Sequence, residues 1–175
     1  ADNTNQNDDN TLVRLPSIPT FNIPSDKEIY EELRVPYKIT ETQRQNFCKN
    51  GFIKLPNVLS SGAAARLRVE LLLLLEKTFD NSDNNKRNNR FLSLEMMWLE
   101  NDLIRSYVLS PRIAQIVANL LGVKSVRLYH DNLLAKESRC GRTPWHYDDH
   151  HFPLATQDVV TAWIPAQAIP RAMGP

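Results

Sequence analysis

A chain of 175 residues suits one domain of ordinary size, and an apolar fraction of 42% suffices for a core. Basic residues (21) and acidic residues (20) nearly cancel to a net charge of +1, with no basic run, so nothing electrostatic favours nucleic acid. No window approaches the roughly 18–20 apolar residues of a membrane span, and the run Leu71 to Leu75 is far shorter.

Residues 1–25 read as a disordered or extended tail. Ala1 to Asn10 is acidic and Asn-rich, unlike a signal or transit peptide, and Pro16, Pro19 and Pro24 keep the chain extended beyond it. Residues 26–175 are expected to form part of a single domain. Thr40 and Gln43 have capping-box spacing and predict a helix. Gly51 to Leu55 predicts a strand. A longer helix is expected from about Ser61 to Phe79, with Ala64, Leu67, Leu71, Leu74 and Leu75 on one face. Its surplus leucines imply burial on more than one side. Asn81 to Arg90 is a polar loop.

Ser110-Pro111 opens the clearest helix, a serine cap followed by proline in the first turn. Ile113, Ile116, Val117, Leu120 and Leu121 keep helical spacing, and Gly122 ends it. Strand patterns follow at Val126 to Lys136 and Asp158 to Pro165, rich in β-branched and aromatic residues. Helices first and strands later predict an α+β fold with a mainly β core buttressed by N-terminal helices. Cys48 and Cys140 make no disulfide framework, which fits a reducing, cytoplasmic compartment. Cys140 reads as a free loop thiol.

The chemistry concentrates in Thr143 to Leu154. After the turn-like Cys140-Gly141-Arg142-Thr143-Pro144 comes His146-Tyr147-Asp148. In an extended chain alternate side chains share a side, so the His146 imidazole and the Asp148 carboxylate can grip one cation. One more histidine would complete the 2-His-1-carboxylate set that suits non-haem Fe(II) and leaves open positions. Structural zinc fits less well, because cysteines near the motif are too few. His-x-Asp by itself recurs by chance, and an ordinary surface turn is the competing reading.

The order of strand, loop, His-x-Asp, loop and a strand ending in Trp163-Ile164-Pro165 resembles the phytanoyl-CoA dioxygenase family of Fe(II)/2-oxoglutarate oxygenases. Thr40 to Leu59, a helix running into a strand led by Gly51-Phe52, resembles it too. The likeness covers roughly Lys38 to Pro175. It implies a double-stranded β-helix, a jelly roll of cupin type with eight strands, of which this chain offers the first few. It also implies a distal histidine and a 2-oxoglutarate-binding arginine beyond Trp163-Ile164-Pro165. Neither is found before Pro175, so the natural polypeptide is expected to continue.

The implied activity is hydroxylation of a small organic substrate with O2, coupled to decarboxylation of 2-oxoglutarate to succinate and CO2. Fe(II) and 2-oxoglutarate are the implied cofactor and co-substrate, with His146 and Asp148 as metal ligands. Retention of Asp148 favours hydroxylation, since related halogenating enzymes replace this acid with a small residue. Asn132 matches a position from which family members touch 2-oxoglutarate, and its amide can donate to a carboxylate. Lys136 shares its face by period-two counting, although a solvated lysine is the competing reading. Trp163 matches a tryptophan that walls the co-substrate pocket, a role that overlaps with core packing.

His150 and His151 are expected to line the pocket or support the ligands rather than bind metal, and His130 to be a satisfied core or strand histidine. Tyr147 should face away from the metal. Some family members carry a basic residue on the strand after the polar loop. Here that stretch reads Phe91 to Trp98, with Arg90 only at its edge. Met96, Met97 and Trp98 could floor an apolar pocket or pack in the core. Two rival functions remain open: a non-catalytic jelly-roll binding protein, and a cupin-like metal-dependent enzyme that does not use 2-oxoglutarate.

Overall fold

The computed structural model describes residues 23–79, 89–148 and 151–173. Three helices come first: α1 (Asp26–Arg34), α2 (Glu41–Asn50) and α3 (Ser61–Thr78). Strand β1 (Phe91–Glu95) follows, then a 3-10 turn (Met97–Leu99), α4 (Asp102–Val108), α5 (Pro111–Leu121), β2 (Asn132–Lys136) and a last 3-10 turn (Arg171–Met173).

Local chemistry starts each helix. Ser25 and Glu28 form a full capping box on α1, as Thr40 and Gln43 do on α2. Ser60, Asn101 and Ser110 each accept one orphan backbone N–H at the start of α3, α4 and α5. Gly51 and Gly122 end α2 and α5 in the left-handed region, at φ 76° and 70°, where a Cβ is disfavoured. α1 and α4 lie outside the elements read from the sequence. The Ser25-x-x-Glu28 spacing was nonetheless a legible signal.

The main core is helical. Ile29 and Leu33 of α1 meet Ala63 and Leu67 of α3 and Leu103, Ile104 and Tyr107 of α4. The Tyr107 hydroxyl donates to Ala63 O at 2.8 Å, satisfying a polar group inside this cluster. The mainly β core expected from the sequence is therefore not what holds the described residues together. At the leucine-rich end of α3, Leu71, Leu72, Leu74 and Leu75 are half-buried and Leu73 is 53% exposed.

Arg112 of α5 is the polar counterpart of this packing. Its Nε donates to Val35 O at 2.7 Å and its Nη1 to Val58 O at 2.7 Å, with Glu32 Oε1 at 3.4 Å. Glu32 in turn accepts from the Ser60 N–H and hydroxyl at 2.8 and 2.6 Å. One guanidinium thus joins the end of α1, the residues before α3 and α5.

A second polar group bridges α3 and α4. Glu70 accepts from Arg66 at 2.8 Å and from the Asn101 amide at 2.6 Å. Burial pushes the Glu70 pKa up, but Asn101 and Arg66 outweigh it and hold the carboxyl below its ordinary 4.5. A depressed folded-state value contributes stability above the unfolded pKa, and that stability is lost as pH falls through the folded value. Glu70→Gln is therefore expected to flatten the acid limb of stability. Urea midpoints measured between about pH 6 and about pH 3 test this, and parallel curves for both proteins would refute it.

Among the described residues one sheet forms, β1 antiparallel to β2, with Phe91 opposite Lys136, Ser93 opposite Leu134 and Glu95 opposite Asn132. The connection between them carries α4 and α5. Alternation along the strands gives the sheet two unlike faces. Leu94 and Leu133 are buried on one, while Phe91, Ser93, Glu95, Asn132, Leu134 and Lys136 stand exposed on the other. Residues 51–55, 126–131 and 158–165, read as strands from their composition, take no regular structure. β-branched composition makes a segment suitable for a ladder, but a strand needs a partner for its N–H and C=O groups.

Candidate metal centre

The His-x-Asp segment lies beyond β2, in chain without regular structure. Asp148 O accepts from the His151 and Phe152 N–H groups at 2.8 and 3.1 Å, closing a turn at the end of the motif. The Phe152 ring packs edge-on against Tyr129 and His130, with centroids 5.4 and 5.1 Å away. These contacts seat the turn beside the residues leading into β2, where Asn132 stands. His130 is thus a half-buried packing residue just before the strand.

The two candidate ligands are each held by their far atom. His146 Nδ1 lies 2.9 Å from Pro144 O. A carbonyl oxygen only accepts, so Nδ1 carries a proton, and in the neutral ring the Nε2 lone pair is left for a ligand. On Asp148, Oδ2 accepts from the Thr161 hydroxyl at 2.7 Å. The remaining atoms face each other, with His146 Nε2 3.7 Å from Asp148 Oδ1. That is too long for a hydrogen bond, and it brings two potential ligand atoms together. It is also less than twice a usual metal–ligand length of about 2.1 Å, so one cation can touch both. The donors present fit a first-row metal.

No third His, Cys, Asp or Glu joins the pair among the described residues. The His151 ring centroid lies 6.1 Å from that of His146. His150 lies outside the described residues. Tyr147 is 60% exposed, and Cys140 is a free, half-buried thiol.

The expected co-substrate residues are placed unevenly. Asn132 and Lys136 do share the exposed face of β2. Ser93 Oγ donates to Asn132 Oδ1 at 3.0 Å, which leaves the Asn132 NH2 group as the donor side of the amide. Lys136 points elsewhere, its ammonium 3.2 Å from Gly141 O and 5.4 Å from the Phe91 ring centroid at the far end of the strand. Trp163 is 66% exposed. Arg90 pairs with Glu137 through both its side chain and its backbone, so it is engaged in closing the strand ends. Thr161 is the site residue that sequence reasoning missed. Its signal was positional, since it keeps period-two phase with Trp163.

The described residues thus form a mostly helical protein with one two-stranded sheet and a His-x-Asp pair as its candidate metal centre. The chain is a member of the phytanoyl-CoA dioxygenase family, whose model, described as Phytanoyl-CoA dioxygenase (PhyH), matches residues 47–175. No curated protein and no solved structure matches the chain. Among the described residues no helix is long and apolar enough to cross a membrane.

Proposed function

We propose that the protein is an Fe(II)- and 2-oxoglutarate-dependent dioxygenase that hydroxylates a small organic substrate. The observation that carries this reading is the 3.7 Å approach of His146 Nε2 to Asp148 Oδ1, with the other atom of each group already engaged. These two side chains would hold the iron, and a third protein ligand would come from outside the described residues. Bound Fe(II) and 2-oxoglutarate would supply O2-dependent oxidation of a C–H bond, with 2-oxoglutarate cleaved to succinate and CO2.

The remaining residues bind and orient. The Asn132 NH2 group donates to a carboxylate or keto oxygen of 2-oxoglutarate. Lys136 adds positive charge to the same sheet face, while Glu95, opposite Asn132, adds a negative one. Trp163 supplies an apolar wall once covered. We place this site in a jelly roll of cupin type, with β1 and β2 as two of its strands and residues 26–175 within its single domain.

The experiment follows succinate release from 2-oxoglutarate by full-length protein, with Fe(II) or O2 withheld in turn. Release that depends on both supports the proposal, and release indifferent to either removes it. Asn132→Ala is expected to raise the KM for 2-oxoglutarate about ten- to a hundredfold, because one hydrogen bond to a charged group is worth about 1.5–3 kcal/mol. Thermal melting should hardly change, since Asn132 is exposed. An unaltered KM would return Asn132 to a purely structural role beside Ser93.

A further inference from the structure

The Thr161–Asp148 hydrogen bond ties residues 158–165 to the His-x-Asp turn. Residues 158–165 lie outside regular structure, and Thr161 is exposed, so core packing does not explain the contact. Its Oγ1 donates to Asp148 Oδ2 at 2.7 Å, a length typical of a hydroxyl bonded to a charged carboxylate. The bond takes up one carboxylate oxygen and turns the other toward His146 Nε2.

We infer that Thr161 is a positioning residue of the metal centre, one that keeps Asp148 a one-oxygen ligand. This rests on the metal-centre reading given above. A carboxylate can bind a cation through one oxygen or two. With Oδ2 held by a hydroxyl, Asp148 offers only Oδ1, and one more coordination position stays open for exogenous ligands. The Pro144 carbonyl does the equivalent for His146, fixing its tautomer through Nδ1. The two ligands are thus oriented from opposite sides, one by backbone within the motif and one by a side chain thirteen residues further on. Outer partners of this kind hold ligand geometry and commonly matter about 10–100-fold in metal affinity.

The test is an anaerobic titration with Co(II), which reports affinity and coordination together through its visible spectrum and involves no turnover. Wild type, Thr161→Ser, Thr161→Val and His146→Ala are compared, with thermal melts alongside. Thr161→Ser keeps the hydroxyl and is expected to bind like wild type. Thr161→Val is expected to weaken Co(II) about 10–100-fold and to alter the spectrum, because Asp148 is then free to rotate or chelate. Serine and valine variants that behave alike would overturn the inference. So would a valine variant with wild-type affinity and spectrum, provided His146→Ala loses the metal. Undiminished binding by His146→Ala would instead remove the metal-centre reading itself, which keeps the two failures distinct.

Discussion

Alanine at His146 or at Asp148 is expected to abolish specific metal binding and to reduce succinate release to background. Each variant deletes one of the two atoms that face each other across 3.7 Å. The loss should exceed the roughly 10–100-fold typical of outer partners, because a direct ligand is removed. The two variants differ in what they leave behind. His146→Ala frees the Pro144 carbonyl to solvent, whereas Asp148→Ala also orphans the Thr161 hydroxyl. Both side chains are about half exposed, so neither variant should unfold the protein. Metal stoichiometry and 2-oxoglutarate turnover, measured on protein with unchanged melting, decide the matter. Wild-type values in either variant would mean that the cation, if any, sits elsewhere.

The largest structural effect is expected at Arg112. Replacing it by alanine strands the Val35 and Val58 carbonyls and leaves Glu32 with only its Ser60 partners. Breaking a buried charged group away from its partners typically costs about 3–5 kcal/mol. That is a large share of the roughly 5–15 kcal/mol that stabilises a domain. Arg112→Lys should recover little, because one ammonium cannot reproduce the planar fork that spans acceptors on two segments. Urea denaturation gives the measurement. A midpoint shift equivalent to less than about 1 kcal/mol in the alanine variant would show that solvent replaces the guanidinium without cost.

These expectations draw on different levels of the chain. α2, α3 and α5 were legible in the sequence because their determinants lie within a few residues: Thr40 with Gln43, the spaced leucines after Ser61, and Ser110-Pro111 through Gly122. α1 was equally legible through Ser25 and Glu28, although no helix was expected there. The family, too, was readable, since the order of helix, His-x-Asp and Trp163-Ile164-Pro165 survives as a linear pattern and the matching model spans residues 47–175. Strands were a different matter. Val126 to Asp131 and Asp158 to Pro165 have strand composition, yet only Asn132–Lys136 pairs among the described residues, with Phe91–Glu95.

The sequence by itself determined where α2, α3 and α5 form, and it set a histidine and an aspartate two residues apart as candidate ligands. Helix hydrogen bonds close over four residues, and capping over three, so those decisions are made locally. The tertiary structure alone decided that Thr161 takes Asp148 Oδ2, that Ser93 orients the Asn132 amide, and that Arg90 is committed to Glu137. It also decided that Lys136, in phase with Asn132, turns to Gly141 instead. Each of these joins groups through side-chain reach rather than through a repeating period. No pattern in one dimension records which of several chemically able partners lies close enough to bond.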